Sequence, residues 1–280
     1  MEEDLAEISD LERGADGIWR SRSRKRLTEV SYPNEGNRDY LAIEESSFWF
    51  SHRNRCIAAT VGNFPPGGAI FDIGGGNGFV ARGLTEAGFE VVLVEPGEEG
   101  VRNAQQRGVG RVVCSTLEDA EFRDGSLSAA GLFDVLEHFE DDAAFMKQLR
   151  TKLAPGGRLY ITVPAYRLLW SVEDDYAGHF RRYRLPELER VLSIAGFRVD
   201  FGTYIFSFLP LPIFVMRSLP SRLGMVRDHD ERRTEREHLR QSEIGTRVTN
   251  WLCNSELTRL RQAKSLPWGG SCLVAAISDR

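Results

Sequence analysis

The chain has 280 residues, enough for one large domain or two small ones, so no disulfide or metal is needed to hold a small core together. Apolar residues make up 41% and charged residues 28%, the usual balance of a soluble globular domain. The 36 basic and 41 acidic residues leave a net charge of −5, which excludes the overall basic surface of a typical nucleic-acid binder.

Cysteine usage and the amino terminus favour a cytoplasmic protein. The four cysteines lie far apart and form no CxxC pair, which predicts buried free thiols in preference to disulfides. The acidic start of the chain is unlike the positively charged start of a signal peptide. The uncharged run 201–216 is shorter than the ~20 residues of a membrane-spanning helix and contains two prolines. We therefore expect no transmembrane segment.

The first elements in chain order are a polar segment and a helix. Residues 1–37 are polar and aperiodic and carry a basic cluster from Arg20 to Arg26. They are predicted to form a partly disordered N-terminal arm, in preference to a phosphate-binding arm. From Asn37 to about Val61 apolar residues recur at helical spacing, and NFPPGG then ends the helix. Residues 38–280 are predicted to form one domain.

An alternation of short apolar strands and helices follows, and most of the helices end at a glycine. The predicted strands are AIFDIG (69–74), EVVLVE (90–95), RVVC (111–114), LSAAGLFDV (127–135), RLYITV (158–163), FRVDFGTYIF (197–206) and SCLVAAIS (271–278). Such strands indicate a mostly parallel α/β sheet with helices on both faces. Residues 209–268, approximately, are predicted to form a helical cap insertion, because a structureless loop of that length is unusual.

The most specific pattern is FDIGGGNG (71–78), which ends the first of these strands and opens a helix. Ligands of open parallel sheets bind at the carboxyl ends of the strands, and Glu95 ends the next strand, where an acid can bind both hydroxyls of a ribose. Nicotinamide-dinucleotide oxidoreductases and enzymes with a nucleoside cofactor share this acid. The dinucleotide pattern GxGxxG, however, would need glycine in place of Phe79. Asp72 also favours the nucleoside cofactor, since its carboxylate would repel a pyrophosphate and attract a cationic tail.

These motifs resemble those of the class I S-adenosylmethionine-dependent methyltransferases. FDIGGGNG is similar to their first motif and VLVEP (92–96) to their second. CSTLED (114–119) resembles the segment beside the adenine. GLFDVLEHFED (131–141) and LAPGGRLYITVP (153–164) resemble the motifs of the fourth and fifth strands. Because these motifs occur in the family's order, the resemblance is specific.

Three further segments resemble a subgroup of methyltransferases that act on small molecules and glycans. These segments are FWFSHRNR (48–55), GHFRRYRLPELERVLSIAGF (178–197) and LPWGGSCLVAA (266–276). The resemblance covers about residue 40 to the end. It implies a Rossmann-like seven-stranded sheet with an antiparallel last strand. It also implies S-adenosyl-L-methionine as the cofactor and S-adenosyl-L-homocysteine as the product.

The resemblance further implies which residues bind the cofactor. Asp72 would help to position the amino-acid end, the glycines would line the methionine and ribose part, and Glu95 would bind the ribose hydroxyls. Glu118 would lie near the adenine amine, and Asp134 near the sulfonium. The implied cofactor-binding residues are Asp72, Gly74, Gly76, Gly78, Phe79, Glu95, Pro96, Leu117, Glu118, Phe133 and Asp134.

Two histidines are the candidate catalytic residues. Methyl transfer is an in-line displacement that depends on positioning, and a hydroxyl acceptor usually also needs a base. His138 follows the fourth strand, and His179 lies in the segment after the fifth. Each has a structural alternative, because His138 could bond a loop carbonyl and His179 could bond Asp174 or Asp175.

Aromatic residues dominate the candidates for binding the acceptor. They could hold a cationic acceptor, although packing is their commoner role. The candidate acceptor-binding residues are Trp49, Arg53, Tyr166, Trp170, Tyr176 and Tyr183. The apolar run 201–216 has three interpretations, a pocket wall, a dimer surface or a membrane contact, of which the pocket wall is favoured.

The sequence predicts methyl transfer to a small molecule, a natural-product intermediate or a sugar, with O- or N-methylation favoured. Two alternatives keep the fold: an acceptor linked to lipid or phosphate, and a reaction other than methylation. An NAD-dependent oxidoreductase is a remote third. No spacing typical of metal ligands stands out, so no metal is expected. The acidic composition argues against a nucleic-acid partner, and a homodimer is left open.

Overall fold

The structure is a computed structural model that describes residues 5–22, 41, 44–225 and 243–279. The strands are β1 (Leu11–Arg13), β2 (Trp19–Ser21), β3 (Ile70–Ile73), β4 (Val91–Glu95), β5 (Val112–Cys114), β6 (Leu127–Phe133), β7 (Leu153–Pro164), β8 (Phe197–Ile205) and β9 (Ser271–Ser278). The α-helices are α1 (Leu5–Ile8), α2 (Phe48–Asn63), α3 (Phe79–Glu86), α4 (Glu98–Gln106), α5 (Asp142–Lys152), α6 (Val172–Ala177), α7 (Leu185–Ile194), α8 (Pro210–Ile213), α9 (Leu219–Arg222) and α10 (Glu243–Arg261). Two 3₁₀ turns, Leu136–His138 and Arg167–Leu169, and a π-helical turn, Phe214–Ser218, lie between these elements.

All of these strands belong to one sheet with the order β1-β2-β5-β4-β3-β6-β7-β9-β8. The pairs from β2 to β7 are parallel, whereas β1 with β2 and β9 with both of its neighbours are antiparallel. The predicted α/β class, mostly parallel with an antiparallel last strand, is confirmed. The predicted count of seven strands is corrected to nine in the described residues, because residues 11–21 add β1 and β2.

The central strands are covered on both faces. Phe71 and Val92 pack in one core cluster, whereas their neighbours Ile70 and Leu93 pack in the other. Successive side chains of a strand point to opposite faces, so an uninterrupted apolar run requires a cover on each. Helices α5 and α7 supply the first cover, and α2, α3, α4 and α10 supply the second.

The amino-terminal segment packs against the sheet. Leu5, Leu11 and Ile18 are buried, and β2 pairs in parallel with β5 at the register of Trp19 with Val113. Residues 5–22 of the predicted arm are therefore part of the sheet layer, which their polar composition did not indicate. The end of the basic cluster, residues 23–26, lies outside the described residues. The domain boundary after residue 37 stays a prediction.

The segment before β9 contains helices. α8, the π-helical turn and α9 follow one another from residue 210 to 222, and α10 follows after residues that lie outside the description. α10 packs on α2, where Nε2 of His52 lies 2.8 Å from Oε1 of Glu256. In the described part of the chain, no helix is both long enough and apolar enough to cross a bilayer.

Candidate active site

A large cavity opens where the strand order changes direction. β3 has β4 on one side and β6 on the other, and the crevice at the carboxyl ends of such strands is the usual ligand site of an open α/β sheet. The cavity measures about 1330 Å³. Typical ligand pockets measure about 300–1,000 Å³. This one therefore has room for a cofactor and a second ligand together.

A glycine-rich loop, residues 74–78, joins β3 to α3 along the cavity. Gly78 has φ 73°, and a Cβ on it would lie 2.6 Å from the Cβ of Ala104 on α4. A Cβ on Gly75 would lie 2.8 Å from Oδ2 of Asp72. Glycine at these two positions lets the loop pass close to α4 and to the carboxylate. The loop backbone can then form part of the cavity wall.

Glu95, the last residue of β4, is held by backbone amides. Its Oε2 accepts a hydrogen bond from the Gly76 amide at 3.0 Å, and its Oε1 accepts one from the Gly97 amide at 2.8 Å. Burial raises the pKa of this carboxyl group, while the two amides act in the opposite direction. Each carboxylate oxygen has a further lone pair. The fixed carboxylate can therefore also accept hydrogen bonds from ligand hydroxyls.

Asp72, in β3, lines the cavity without a hydrogen-bonding partner. The residue is 1% exposed, and neither carboxylate oxygen is hydrogen-bonded among the described residues. Burial raises its pKa to about 7, and the positive charge of Arg53 opposes that rise. An unpaired buried carboxylate is costly. The wall therefore presents an unsatisfied acceptor that a cationic ligand group would stabilise.

The predicted cofactor-binding residues come together at this cavity, with one exception. Gly78 does not line it in the described structure and packs against α4 instead. The residues that do line the cavity are Asp72, Gly74, Gly76, Phe79, Glu95, Pro96, Leu117, Glu118, Phe133 and Asp134.

Asp134 links this wall to the first long helix. It follows β6 with φ 60°, a conformation that is uncommon for a residue other than glycine and that clusters at functional sites. Its Oδ1 accepts a hydrogen bond from the Thr162 hydroxyl at 3.0 Å, and its Oδ2 pairs with Arg53. The Arg53 guanidinium lies 4.8 Å from the Trp49 ring centroid. Trp49 and Arg53, both predicted to bind the acceptor, line the same cavity.

The two candidate catalytic histidines also line the cavity and face each other, with ring centroids 4.8 Å apart. Burial, assisted by the charge of His179, lowers the pKa of His138 to about 4, so its imidazole is neutral at pH 7. Nδ1 of His179 lies 2.9 Å from Oδ1 of Asp174, which also accepts hydrogen bonds from Arg182. The hydrogen bond expected of a structural His179 is thus present, and it also orients the ring.

Glu137 lies beside these histidines, and sequence reasoning did not select it. It is fully buried, neither carboxylate oxygen has a hydrogen-bonding partner among the described residues, and Oε1 lies 3.9 Å from Nε2 of His179. Burial and the charge of Asp134 raise its pKa well above the usual range. The available signal was the sequence DVLEH, which places acids three residues apart and next to a histidine. A charged residue in a short loop is normally solvated, so this signal was weak.

Four predicted acceptor-binding aromatic residues do not line the cavity in the described structure. Tyr183 is buried, and its hydroxyl donates to Oδ2 of Asp142 at 2.8 Å. Tyr166 stacks on Tyr204 with ring centroids 5.2 Å apart. These contacts match the packing alternative. The four residues are Tyr166, Trp170, Tyr176 and Tyr183.

The apolar run 201–216 divides into two parts. Its first half is buried in β8 and just after it, with Phe206 fully covered. In its second half Pro212 and Ile213 line the cavity, while Leu211 and Val215 are 72% and 52% exposed. The run therefore contributes to the core and to the pocket wall, and it also leaves apolar side chains at the surface.

The fold and the cavity together define a class I S-adenosylmethionine-dependent methyltransferase. The family model described as "Methyltransferase domain" matches residues 44–200, more than half of the chain. The chain belongs to this family, whose cofactor is S-adenosylmethionine.

Two curated relatives agree with this assignment. A probable S-adenosylmethionine-dependent methyltransferase of Mycolicibacterium smegmatis is 26% identical over 173 residues, which cover 60% of this chain and 66% of that protein. The ubiquinone biosynthesis O-methyltransferase of Xanthomonas axonopodis pv. citri is 27% identical over 155 residues, which cover 49% of this chain and 65% of that protein. The chain thus spans just under two thirds of the length of these two relatives.

A solved structure shows the same fold. Phosphoethanolamine N-methyltransferase 2 of Haemonchus contortus, in complex with phosphomonomethylethanolamine and S-adenosylhomocysteine, aligns with a TM-score of 0.54 at 20% identity. The alignment covers 90% of this chain and 59% of that one.

Proposed function

We propose that this chain transfers the methyl group of S-adenosylmethionine to a hydroxyl or amine of a small-molecule acceptor. The observation that carries the proposal is that one cavity has buried acids suited to the cofactor and a pair of histidines suited to the acceptor. The similarity to a ubiquinone biosynthesis O-methyltransferase supports a small-molecule acceptor.

The cavity residues fit the cofactor chemically. The cofactor supplies a methyl group activated by a sulfonium. Asp72, whose carboxylate oxygens have no partner among the described residues, binds the ammonium of the amino-acid end. Glu95, fixed by two amides, accepts hydrogen bonds from the ribose hydroxyls. Leu117 and Glu118 flank the adenine, and Asp134 lies near the reacting centre.

The acceptor binds at the part of the cavity wall formed by α2 and the two histidines. Trp49 and Arg53 provide an aromatic face and a fixed positive charge, while His138 and His179 lie where the acceptor's reacting atom must approach. His138, neutral at pH 7, is able to accept a hydrogen bond from the acceptor. The Asp174 contact occupies Nδ1 of His179 and directs Nε2 away from it, towards Glu137. The wall therefore both positions the acceptor and helps to remove its proton.

The proposal is tested by S-adenosylhomocysteine calorimetry and by methyl transfer from labelled S-adenosylmethionine. The acceptor panel should contain a catechol, a polyprenyl phenol, a phosphorylated amine and a sugar, so that lipid- and phosphate-linked acceptors are included. His179→Ala should keep its affinity for S-adenosylhomocysteine and lose about 10²–10⁴-fold in turnover. His52→Gln, which changes a histidine outside the cavity, is the matched control.

Two outcomes would contradict this function. Binding of NAD(H) without binding of S-adenosylhomocysteine would identify an oxidoreductase. Tight S-adenosylhomocysteine binding with no methyl transfer to any acceptor of the panel would favour the non-methylating alternative.

A further inference from the structure

We propose that Glu137, His138 and His179 form a binding site for a divalent transition-metal ion at the acceptor wall of the cavity. One ligand atom from each residue lies within 4.8 Å of the other two. Two imidazoles and one carboxylate are a ligand set for Zn²⁺ or Fe²⁺ that leaves coordination positions open for other ligands. The role of the ion rests on the proposed methyl transfer, whereas its binding does not.

The first observation that points to a cation is the buried, unpaired carboxylate of Glu137. Its side chain is fully buried, and neither carboxylate oxygen has a hydrogen-bonding partner among the described residues. Buried carboxylates are paired, coordinate a metal or take up a proton. Two imidazole rings lie next to this carboxylate, which favours coordination over protonation.

The hydrogen-bonding partner of His179 is the second observation that points to a metal ion. Metal-bound histidines usually engage their other ring nitrogen with a carboxylate or a backbone carbonyl, which fixes the ring. Nδ1 of His179 has such a partner in Asp174 at 2.9 Å, and Arg182 anchors that carboxylate. The contact with Asp174 thus leaves Nε2 of His179 towards Glu137 as its available ligand atom.

The spacing is close to that of a loaded site. Two ligands at about 2.1 Å from one ion lie at most about 4.2 Å apart. The ligand atoms of the cluster all lie within 4.8 Å of one another, so small side-chain movements would complete coordination. All three residues line the cavity, which provides an entry path and space for the remaining ligands.

A second cluster of similar composition provides an internal comparison. The ligand atoms of His52, Cys56 and Glu256 also lie within 4.8 Å of one another, but in the described structure these residues do not line the cavity. The Glu256 carboxylate already accepts hydrogen bonds from the amides of Phe206 and Ser207 at 2.7 and 2.9 Å, besides its contact with His52. The protein itself satisfies this carboxylate, so the second cluster is structural.

An ion at the proposed site would bind the acceptor's oxygen and lower the pKa of its hydroxyl. His179 would then act as a metal ligand, not as the base. The sequence suggested no metal because two helices, a strand and a 3₁₀ turn separate Glu137 and His138 from His179. Only the folded chain brings the three together.

The binding test uses the full chain after chelator treatment, titrated with Mn²⁺ and followed by electron paramagnetic resonance, and with Co²⁺ followed by visible absorption. We expect one ion per chain. Glu137→Gln and His179→Ala should each weaken binding at least tenfold. Asp174→Asn, which removes the charged partner of His179 but none of the three ligands, should weaken it about 10–100-fold. His52→Gln should leave the affinity unchanged.

Parallel S-adenosylhomocysteine calorimetry separates this inference from the proposed function. A chain that binds S-adenosylhomocysteine but neither metal overturns the metal site and leaves the function standing. A chain that binds metal but no S-adenosylhomocysteine supports the site and overturns the function. Metal binding that is unchanged in His179→Ala and in Glu137→Gln also overturns the site. If one of these variants fails to fold, His138→Ala provides the same test.

Discussion

Two buried acids of the cavity differ in what surrounds their oxygens. Glu95 accepts two backbone hydrogen bonds, whereas Asp72 has none among the described residues. The sequence indicated both acids, because each ends or nearly ends an apolar strand. It could not show this difference, which depends on where the loops around Gly76 and Gly97 turn. The difference makes Asp72 the acid whose charge the folded protein tolerates less well without a ligand.

Asp72 should make stability depend on pH. Its pKa is about 7 in the folded chain against an ordinary value of 3.8, so the folded chain retains a proton that the unfolded chain has lost between these values. The free energy of unfolding therefore falls as pH rises from about 4 to 7, by up to about 1.4 kcal/mol per pH unit. Asp72→Asn should remove this component, so its stability relative to the wild type should increase with pH. Urea unfolding at pH 5 and pH 8 measures the difference.

The control for this prediction is Asp124→Asn, which changes a surface carboxylate that is 73% exposed. It should give a stability difference with little dependence on pH over the same range. The Asp72 assignment would be wrong if Asp72→Asn gave the same difference from the wild type at both pH values.

Glu95→Ala should weaken S-adenosylhomocysteine binding by about 1.5–3 kcal/mol, the range for a hydrogen bond to a charged group. Two effects contribute, because the ligand hydroxyls lose an acceptor and the Gly76 and Gly97 amides lose theirs. Calorimetry measures the affinity. Glu98→Ala is the matched control, since Glu98 is nearby but is half-exposed and paired with Arg20. Equal affinities of the two variants would show that Glu95 does not contact the cofactor.

At the scale of elements, the strands that the sequence predicts are the buried ones. β3, β4 and β9 are continuous apolar runs covered on both faces, so pattern and burial coincide. β1 and β2, with sequences LER and WRS, have three residues each; β1 is the edge strand and β2 lies between it and β5. No periodicity can be recognised over three residues, and their pairing depends on the tertiary position of β5.

In the candidate site too, the sequence predicts what depends on local motifs and does not predict what depends on long-range contacts. The cofactor residues follow local motifs at strand ends, and all but Gly78 line one cavity. The acceptor wall depends on long-range contacts, such as Arg53 of α2 with Asp134 and His179 with Glu137. Tyr166 and Tyr183 lie in the expected segment but pack away from the cavity. Composition could not decide which way these aromatic rings face.

The entry to α3 offers a test with a built-in control. Gly78 and Gly88 both have positive φ, 73° and 92°, but a Cβ on Gly88 would have no atom of the described residues within 4 Å. Alanine at Gly88 should cost only the backbone strain, about 1–2 kcal/mol. Alanine at Gly78 should cost about 1–3 kcal/mol more, because its Cβ would overlap Ala104. Chemical unfolding of both variants measures the free energy of unfolding. Equal losses of stability would contradict the prediction and would mean that α3 and α4 move apart readily to accommodate the added methyl group.

At the scale of the whole molecule, the amino-terminal segment extends the sheet beyond β5. Leu11 is fully buried in the core cluster that contains Phe71 and Val92, whereas Glu12 beside it is exposed. Leu11→Ala should lower the free energy of unfolding by about 2–5 kcal/mol. Glu12→Ala should change it by less than about 0.5 kcal/mol. Urea unfolding of the two variants distinguishes a packed segment from a solvated arm, for which neither change would matter.

β9 comes last of the nine strands in the sequence of the described residues, yet it lies between β7 and β8 in the sheet. A chain is synthesised from its amino terminus, and domains fold as units as they emerge. Until residues 271–278 have been synthesised, β7 and β8 both lack the strand that pairs with them. The backbone donors and acceptors that would bond to β9 then have no partner. Open edges of this kind pair readily with other chains. We therefore expect chains that stop before residue 271 to aggregate, which comparison of their soluble yield with that of the full chain would measure.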